Sequence, residues 1–154
     1  MIGAIVGAVV AVAAAAVVGV VAARRTLVVV TVAGPSMQPT YHTGDRILVR
    51  RAHPARIPTG QVVVLQGQAH DGGWDTAPLS GVDVSGESWW IKRLAARATE
   101  PVPGVMRTGV PDERVPAGHV AVLGDNNAAS NDSRAFGFVP ESRVLGVVLR
   151  RMGA

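Results

Sequence analysis

The 154-residue chain contains no cysteine, so it can form no disulfide bond, thiolate zinc site or catalytic thiol. It also contains only one lysine, Lys92. The other fourteen of its fifteen lysine and arginine residues are arginines. Arginine keeps its charge in a protein, whereas lysine can lose its proton. Lys92 is therefore a candidate for a position that needs a titratable amine. The alternative is that one lysine has survived a general preference for arginine by chance.

The basic character of the chain has no pattern typical of nucleic-acid binding. The formal net charge is +4 and the sequence pI is about 11.0, but no aromatic ladder or recognised reading motif accompanies the arginines. We interpret Arg46, Arg50, Arg51 and Arg56 as a solvated strand face close to anionic lipid head groups. No nucleic-acid partner is expected.

The first residues form a long apolar run. Residues 2–23 are free of charge and proline, and as a helix they would span roughly 33 Å, enough to cross a bilayer. A cleavable signal peptide is the alternative, since residues 21–23 (VAA) resemble a cleavage site. However, no basic segment precedes the run, and the run is longer than a usual signal-peptide core. We predict a transmembrane anchor at residues 1–23 and a single domain at residues 24–154.

The remainder of the chain is predicted to be mainly β. Short runs rich in β-branched residues, separated by turn residues, predict six strands at residues 26–32, 46–50, 61–65, 89–94, 119–123 and 144–149. No amphipathic helix of ten or more residues follows the apolar run, which favours a curled sheet or partial barrel. Residues 67–88 are rich in Gly, Ser and Asp and are typical of a long excursion.

Two segments contain the side chains of a Ser/Lys dyad. Ser36 lies in the turn GPSMQPT (residues 34–40) after an apolar strand, where main-chain N–H groups are available to hold an oxyanion. Strand alternation puts Lys92 on the same face as Trp90 and Leu94. Burial there would lower the lysine pKa toward the range that a general base needs. Alternatively, the first segment is only a turn, and Lys92 is a surface lysine whose stem packs on tryptophan.

A third segment is the polar loop GDNNAASNDSR at residues 124–134. Its simplest interpretation is an Asx-rich turn in which side chains cap their own backbone. A functional interpretation is that the loop supplies a hydroxyl to orient the lysine amine, and a pair formed by Asp132 and Arg134 to hold the loop.

The order and spacing of these segments resemble type I signal peptidases, which are membrane-anchored Ser/Lys endopeptidases that remove signal peptides from secreted proteins. The resemblance is to compact members of the Gram-positive or actinobacterial kind and covers nearly the whole chain. It is carried by the apolar anchor and by the motifs Ser36-Met37-Gln38-Pro39-Thr40, Ile91-Lys92-Arg93, Gly124-Asp125-Asn126 and Ser130-Asn131-Asp132-Ser133-Arg134.

The resemblance implies a coiled antiparallel sheet of the signal peptidase or LexA-like type. Within it, Ser36 would be the nucleophile and Lys92 the general base. Ser130 would orient the lysine, and Asp132 with Arg134 would form a structural ion pair.

The resemblance also implies how substrates bind and where the enzyme acts. Small substrate residues at positions −1 and −3 of the cleavage site would enter shallow apolar pockets lined by Val32, Met37 and Ile91. Substrates would be secreted preproteins cut after small-x-small sites, and no metal or cofactor is expected. A monomer is expected, held by a single span in the cell membrane with its catalytic domain outside the cytoplasm.

Four features depart from the family pattern. Gly34 replaces a serine whose hydroxyl completes the oxyanion hole in some members, so we expect main-chain donors to suffice. Tyr41 replaces a leucine, residues 95–100 replace the expected Gly and Pro-Gly-Asp, and Gly60-Gln61 replaces Gly-Asp. These changes alter loops and leave the proposed chemistry in place.

Alternative functions remain open at the level of the sequence. The chain could be a signal peptidase dedicated to one partner, an inactive membrane-anchored β module, or a LexA-like or UmuD-like self-cleaving protein. The last of these would carry a soluble N-terminal segment where this chain has its apolar run. Orientation is also open, because Arg24 and Arg25 follow the run and would favour a cytoplasmic domain by the positive-inside rule.

Overall fold

The computed structural model describes residues 13–19, 26–69, 71–79, 89–106 and 113–153. Residues 13–19 are helical and exposed. Within the described ranges, no helix combines the length and the apolar character that a bilayer crossing requires. Apart from residues 13–19, the predicted anchor at residues 1–23 lies outside the described residues.

The described part of the domain is built on a single antiparallel sheet. Its strands follow the order β1-β2-β7-β3-β4-β5-β6, and every neighbouring pair is antiparallel. Register shifts in the β2–β7, β3–β7 and β4–β5 pairs add local twist and curl the sheet. The strands are β1 (Leu27–Thr31), β2 (Arg46–Arg51), β3 (Val62–Gln66), β4 (Trp89–Ala96), β5 (His119–Leu123), β6 (Val139–Pro140) and β7 (Val144–Arg151).

The prediction of a mainly β domain with a curled antiparallel sheet is confirmed. All six predicted strands are present, with ends that agree or differ by at most two residues. The sequence did not predict β6 or the short helix Ser133–Phe136. A two-residue strand is too short to show alternation, and a one-turn helix is too short to show helical periodicity.

The sheet buries apolar side chains on both faces, which explains the nearly continuous apolar run of β3. We call the two sides face A and face B and define each by its cluster. Face A carries Val30, Val32, Met37, Ile47, Val49, Val62, Val64, Ile91, Leu145 and Val148. Face B carries Ile57, Val63, Leu65, Leu94, Val120, Val122, Val139, Val144 and Val147.

Candidate active site

Ser36 lies half-buried in the connection between β1 and β2. This connection closes where Val32 N–H donates to Asp45 O at 2.8 Å and Gly44 N–H donates to Val32 O at 2.9 Å. Gly34 enters the turn with φ of +82°, a conformation that glycine adopts without steric cost. Among the residues that the structure describes, none accepts a hydrogen bond from Ser36 N–H. The serine turn therefore has a main-chain donor beside the hydroxyl that no described residue engages.

The serine turn is attached directly to the polar loop at residues 124–134. Asn126 N–H donates to Ser36 O at 3.0 Å, and Asn126 Nδ2 donates to Pro35 O at 3.2 Å. Gly124 makes this approach possible, because a Cβ atom at that position would overlap the side chain of Ser130 and lie 2.7 Å from Ser36 O. The absence of a side chain at residue 124 thus allows Ser36 and Ser130 to be neighbours.

Lys92 occupies the middle of β4, opposite Val63 of β3, and is only 4% exposed. Trp90 and Leu94 pack with the face B cluster while Ile91 packs on face A, so the predicted alternation is confirmed. Lys92 Nζ donates to Ser130 Oγ at 3.1 Å. Burial lowers the pKa of Lys92 below its ordinary value of 10.5; the negative charge of Asp132 opposes this decrease and the positive charge of Arg134 adds to it.

Asp132 is fully buried at the base of this site. Arg134 donates to both carboxylate oxygens, from Nε to Oδ1 at 2.9 Å and from Nη2 to Oδ2 at 2.7 Å. Gly124 N–H and Ser130 Oγ also donate to Oδ2, each at 2.8 Å. Burial alone would raise the pKa of Asp132, but these donors outweigh it and lower the pKa to about 2. The carboxylate is therefore ionised, and the predicted Asp132–Arg134 pair is formed.

The Ser130 hydroxyl lies between Lys92 and Asp132 and makes one hydrogen bond with each of them. The hydroxyl has a single hydrogen, which it donates to Asp132 Oδ2, so it can only accept from Lys92. One N–H of Lys92 is thereby fixed on Ser130, which leaves the rest of the amine free to face another group.

The three residues predicted to line substrate pockets lie together on face A. Val32, Met37 and Ile91 are all at most 6% exposed and belong to one cluster. Met37 follows Ser36, and Ile91 precedes Lys92, so this apolar surface adjoins both polar residues.

Two strand edges border this apolar surface. Strand β1 is the terminal strand of the sheet. Strand β4 pairs with β5 only from Arg93 onward. On the edge of β4 that faces away from β3, Trp89–Lys92 therefore have no partner strand within the described ranges. Both edges offer main-chain groups to an added extended peptide.

The sequence did not predict a second ion pair beside the dyad residues. Arg93 Nε donates to Asp125 Oδ1 at 2.7 Å and Nη2 to Asp125 Oδ2 at 2.5 Å, while Nη1 donates to Gly60 O at 2.7 Å. Thr40 Oγ1 donates to the same carboxylate. The hydrogen bonds from Arg93 lower the pKa of Asp125 and raise that of Arg93. The signal was available, since both residues stand inside the quoted motifs IKR and GDN.

Tyr41, which departs from the family pattern, also has a structural partner. The Arg151 guanidinium lies over its ring at 5.5 Å from the centroid, and Arg151 pairs with Asp45 at 3.1 Å. Arg151 Nη2 also donates to Thr40 O at 2.7 Å. The end of β7 therefore holds the connection between β1 and β2 through contacts with Thr40, Tyr41 and Asp45.

The described residues contain no group of three or more His, Cys, Asp or Glu side chains arranged to hold a metal ion.

The sequence of the chain is similar to those of bacterial signal peptidases and of mitochondrial inner membrane proteases. The family model described as "Signal peptidase, peptidase S26" matches residues 4–104 and 99–152. A probable signal peptidase I-1 of Synechocystis sp. is 31% identical over 135 residues, covering 78% of this chain and 68% of the relative. The mitochondrial ATP-independent inner membrane protease subunit 1a of Arabidopsis thaliana is 37% identical over 124 residues, covering 79% and 67%. Signal peptidase I of Bacillus amyloliquefaciens is 30% identical over 131 residues, covering 75% and 68%.

Proposed function

The chain belongs to the S26 family of signal peptidases and is a serine endopeptidase, and on that basis we propose that it cleaves preproteins with Ser36 as nucleophile and Lys92 as general base. The observation that carries this proposal is that the buried Lys92 amine donates to Ser130 Oγ at 3.1 Å. Ser130 belongs to the polar loop, and the same loop is hydrogen-bonded to the main chain of Ser36.

The proposed reaction is acyl transfer through the serine hydroxyl. The neutral Lys92 amine removes the proton from Ser36 Oγ as this oxygen attacks the carbonyl carbon of substrate residue −1. The resulting ammonium returns the proton to the leaving amine as the peptide bond breaks. Lys92 then deprotonates a water molecule, which attacks the ester between the signal peptide and Ser36. The ammonium returns this proton to Ser36 Oγ as the ester C–O bond breaks, which restores the serine and the neutral amine. Burial of Lys92 favours the neutral amine that both steps require.

The free Ser36 N–H supports stabilisation of the oxyanion by a main-chain donor. Gly34 brings no hydroxyl to the turn, so the main chain must supply this interaction. Removing one oxyanion donor from a protease costs roughly 10²–10³ in kcat, which is why an unengaged N–H beside the nucleophile matters.

We place the substrate between the free edges of β1 and Trp89–Lys92. Side chains of an extended peptide alternate, so residues −1 and −3 would both face the face A surface formed by Val32, Met37 and Ile91. These side chains are buried within the sheet cluster, and we propose that the pockets above them are shallow and accept only small substrate residues. This accounts for a preference for small-x-small sites.

The setting of the reaction is the membrane. A relative is named as an inner membrane protease, and the apolar residues 1–23 have the composition of an anchor. We propose a monomer with a single span and with residues 24–154 outside the cytoplasm, where signal peptides emerge. The family match favours this function over self-cleavage of the LexA-like or UmuD-like kind.

The direct test uses the full chain in detergent and a preprotein with alanine at −1 and −3. We expect a single cut after the −1 alanine, identified by mass spectrometry, and no cut by Ser36→Ala. Failure of the wild-type protein to cut any such preprotein would contradict the function and favour an inactive module. Cleavage of only one preprotein in a varied set would instead indicate a dedicated enzyme.

A further inference from the structure

A second concave site lies on face B, beside the strand that carries Lys92. It is a cleft of about 630 Å³, within the usual size range of ligand pockets. Its floor is the end of β3 and Trp90 of β4, and its wall is the segment that follows β3, including Asp71, Trp74 and Asp75. Trp90 precedes Lys92 by two residues on the same face, so their Cα atoms are roughly 6.6 Å apart along the strand.

The floor of the cleft is closely packed. The rings of Trp74 and Trp90 meet edge to face with centroids 6.4 Å apart, and each lies 5.6 Å from the ring of Phe136. The Trp90 ring lies against Gly67, where a Cβ atom would be 2.6 Å from the indole. Residue 67 therefore has to lack a side chain for the indole to lie flat in this position.

The wall of the cleft is fixed to the sheet by a buried arginine. Arg143 is 1% exposed and donates to Gln66 Oε1 at 2.8 Å and to Ala77 O at 2.5 Å. Within the wall, Gln68 Nε2 donates to Gly72 O at 2.8 Å, and Ala69 N–H donates to Gly73 O at 2.9 Å. The cleft is therefore a built feature of the described fold.

The position of the cleft relates it to one residue of the substrate. If the side chains of residues −1 and −3 point toward face A, the alternation of an extended peptide directs the side chain of residue −2 toward face B, where Trp90, Lys92 and the cleft lie. We propose, resting on the proposed function, that this cleft receives the side chain of substrate residue −2 and favours a long cationic one, arginine or lysine.

The charge and the aromatic rings of the cleft lining both favour a cationic side chain at −2. Among the described residues that line the cleft, the ionisable side chains are Asp71 and Asp75, and each uses one oxygen, Oδ1, to accept a backbone N–H at 2.9 Å, from Gly73 and Ala77 respectively. Arg143 beneath the cleft offsets one of the two charges, so the net charge remains negative. The indoles of Trp74 and Trp90 add faces that attract guanidinium or ammonium groups.

The required length follows from strand spacing. The added peptide would lie about 4.8 Å from β4, on the side away from β3, so a side chain has to cross Trp90 to reach the two carboxylates. Arginine and lysine carry their charge at the end of a long side chain, which serine and alanine lack, so the proposal requires a long residue at −2. Residue −2, the variable position x between the two small residues of the small-x-small site, would thereby contribute to substrate specificity.

The experiment compares two preproteins that differ only at −2, one with arginine and one with glutamine, each with alanine at −1 and −3. The full chain in detergent should cut the arginine substrate with a kcat/KM about five- to tenfold higher, as expected for an exposed ion pair plus a cation–π contact. Raised salt should reduce this ratio, because the charges are solvent-exposed.

The matched variants each remove one carboxylate. Asp71→Asn can still accept the Gly73 N–H and should lower the arginine-to-glutamine ratio by about threefold or more. Asp71→Asn/Asp75→Asn should lower it further and leave only the small preference that the indoles contribute. Glu113→Gln, at an exposed position outside the cleft, should keep the wild-type ratio. Since each ratio is measured within one preparation, a change in folded fraction cancels.

The outcomes separate the two proposals. If the wild-type protein cuts both substrates equally, or if Glu113→Gln lowers the ratio as much as Asp71→Asn does, the cleft does not receive residue −2 while the proposed function stands. If neither substrate is cut, the proposed function itself fails.

Discussion

At the scale of single residues, the chemistry depends on how the charge of Asp132 is shared. A buried carboxylate beside Lys92 would normally hold the lysine in its charged form. Here Arg134 binds both oxygens of Asp132, and its own positive charge also acts on the amine. Burial therefore remains the largest influence on the lysine, and its pKa is lowered.

The first prediction replaces the lysine by the other basic residue. Lys92→Arg keeps the positive charge and removes the titratable amine. We expect kcat/KM to fall by about 10³ or more, because the general base is lost and Ser36 is then no longer activated as a nucleophile. The measurement is preprotein cleavage at equal folded fraction, established by the thermal melting curve.

The control for this variant is Ser36→Ala, combined with it in a double mutant. Residues that act in one step are not additive, so the double mutant should be little worse than either single variant. Independent, multiplying losses would contradict a shared step, and near-normal cleavage by Lys92→Arg would exclude the dyad.

The second prediction concerns pH. The amine is active only when neutral, and its pKa is lowered below 10.5 by burial. Therefore kcat/KM should rise with pH through one ionisation below 10.5 and then reach a plateau. The profile is measured with circular dichroism at each pH to show that the protein stays folded. A flat profile, or one that begins to rise only at pH 10.5, would contradict the assignment of Lys92 as base.

At the scale of elements, the strands were predictable because each carries its own signal. β-branched runs bounded by turn residues identified all six of the longer strands, and alternation placed Trp90 and Leu94 correctly on one face. The end of β4 was harder, since Ala95 and Ala96 have low β propensity and continue the strand only because β5 pairs with it.

The candidate site was predictable only in part, because its contacts join distant parts of the chain. The sequence pointed to Ser36, Lys92 and Ser130 through motif spacing. It did not show that Arg93 would reach Asp125, 32 residues away, or that Thr40 would reach the same carboxylate across 85 residues. Such pairs depend on how the sheet curls, and local patterns carry no information about that.

The third prediction tests the contact between the serine turn and the polar loop. Gly124→Ala would place a Cβ atom against the Ser130 side chain and 2.7 Å from Ser36 O, so the Ser130 side chain or the Ser36 turn has to shift. We expect kcat/KM to fall by about tenfold or more, with a loss of stability of about 1–3 kcal/mol typical of overpacking. Both are measured on purified protein.

A matched glycine provides the control. Gly104 is exposed and has no atom within 4 Å of an added Cβ, so Gly104→Ala should leave cleavage and melting temperature close to those of the wild type. Full activity of Gly124→Ala would show that the two segments need no close contact.

At the scale of the whole molecule, the proposed anchor and the proposed substrate groove are close together in the sequence. Strand β1 begins at Leu27, only four residues after the apolar run ends, and its free edge borders the face A surface. A five-residue strand spans about 17 Å. If residues 1–23 cross a bilayer, the groove lies close to its surface, where a signal peptide still in the membrane could reach it.

The last prediction is the side of the membrane on which the domain lies, where two arguments conflict. Arg24 and Arg25 flank the apolar run on its C-terminal side, which by the positive-inside rule favours a cytoplasmic domain. A bias of two charges is small, and a signal peptidase in the cytoplasm could not meet translocated preproteins. We therefore expect added protease to digest residues 24–154 in intact spheroplasts, while a cytoplasmic reporter protein stays protected until lysis. Digestion of the domain only after lysis would place it inside, and the assignment as a signal peptidase acting on translocated preproteins would then have to be abandoned.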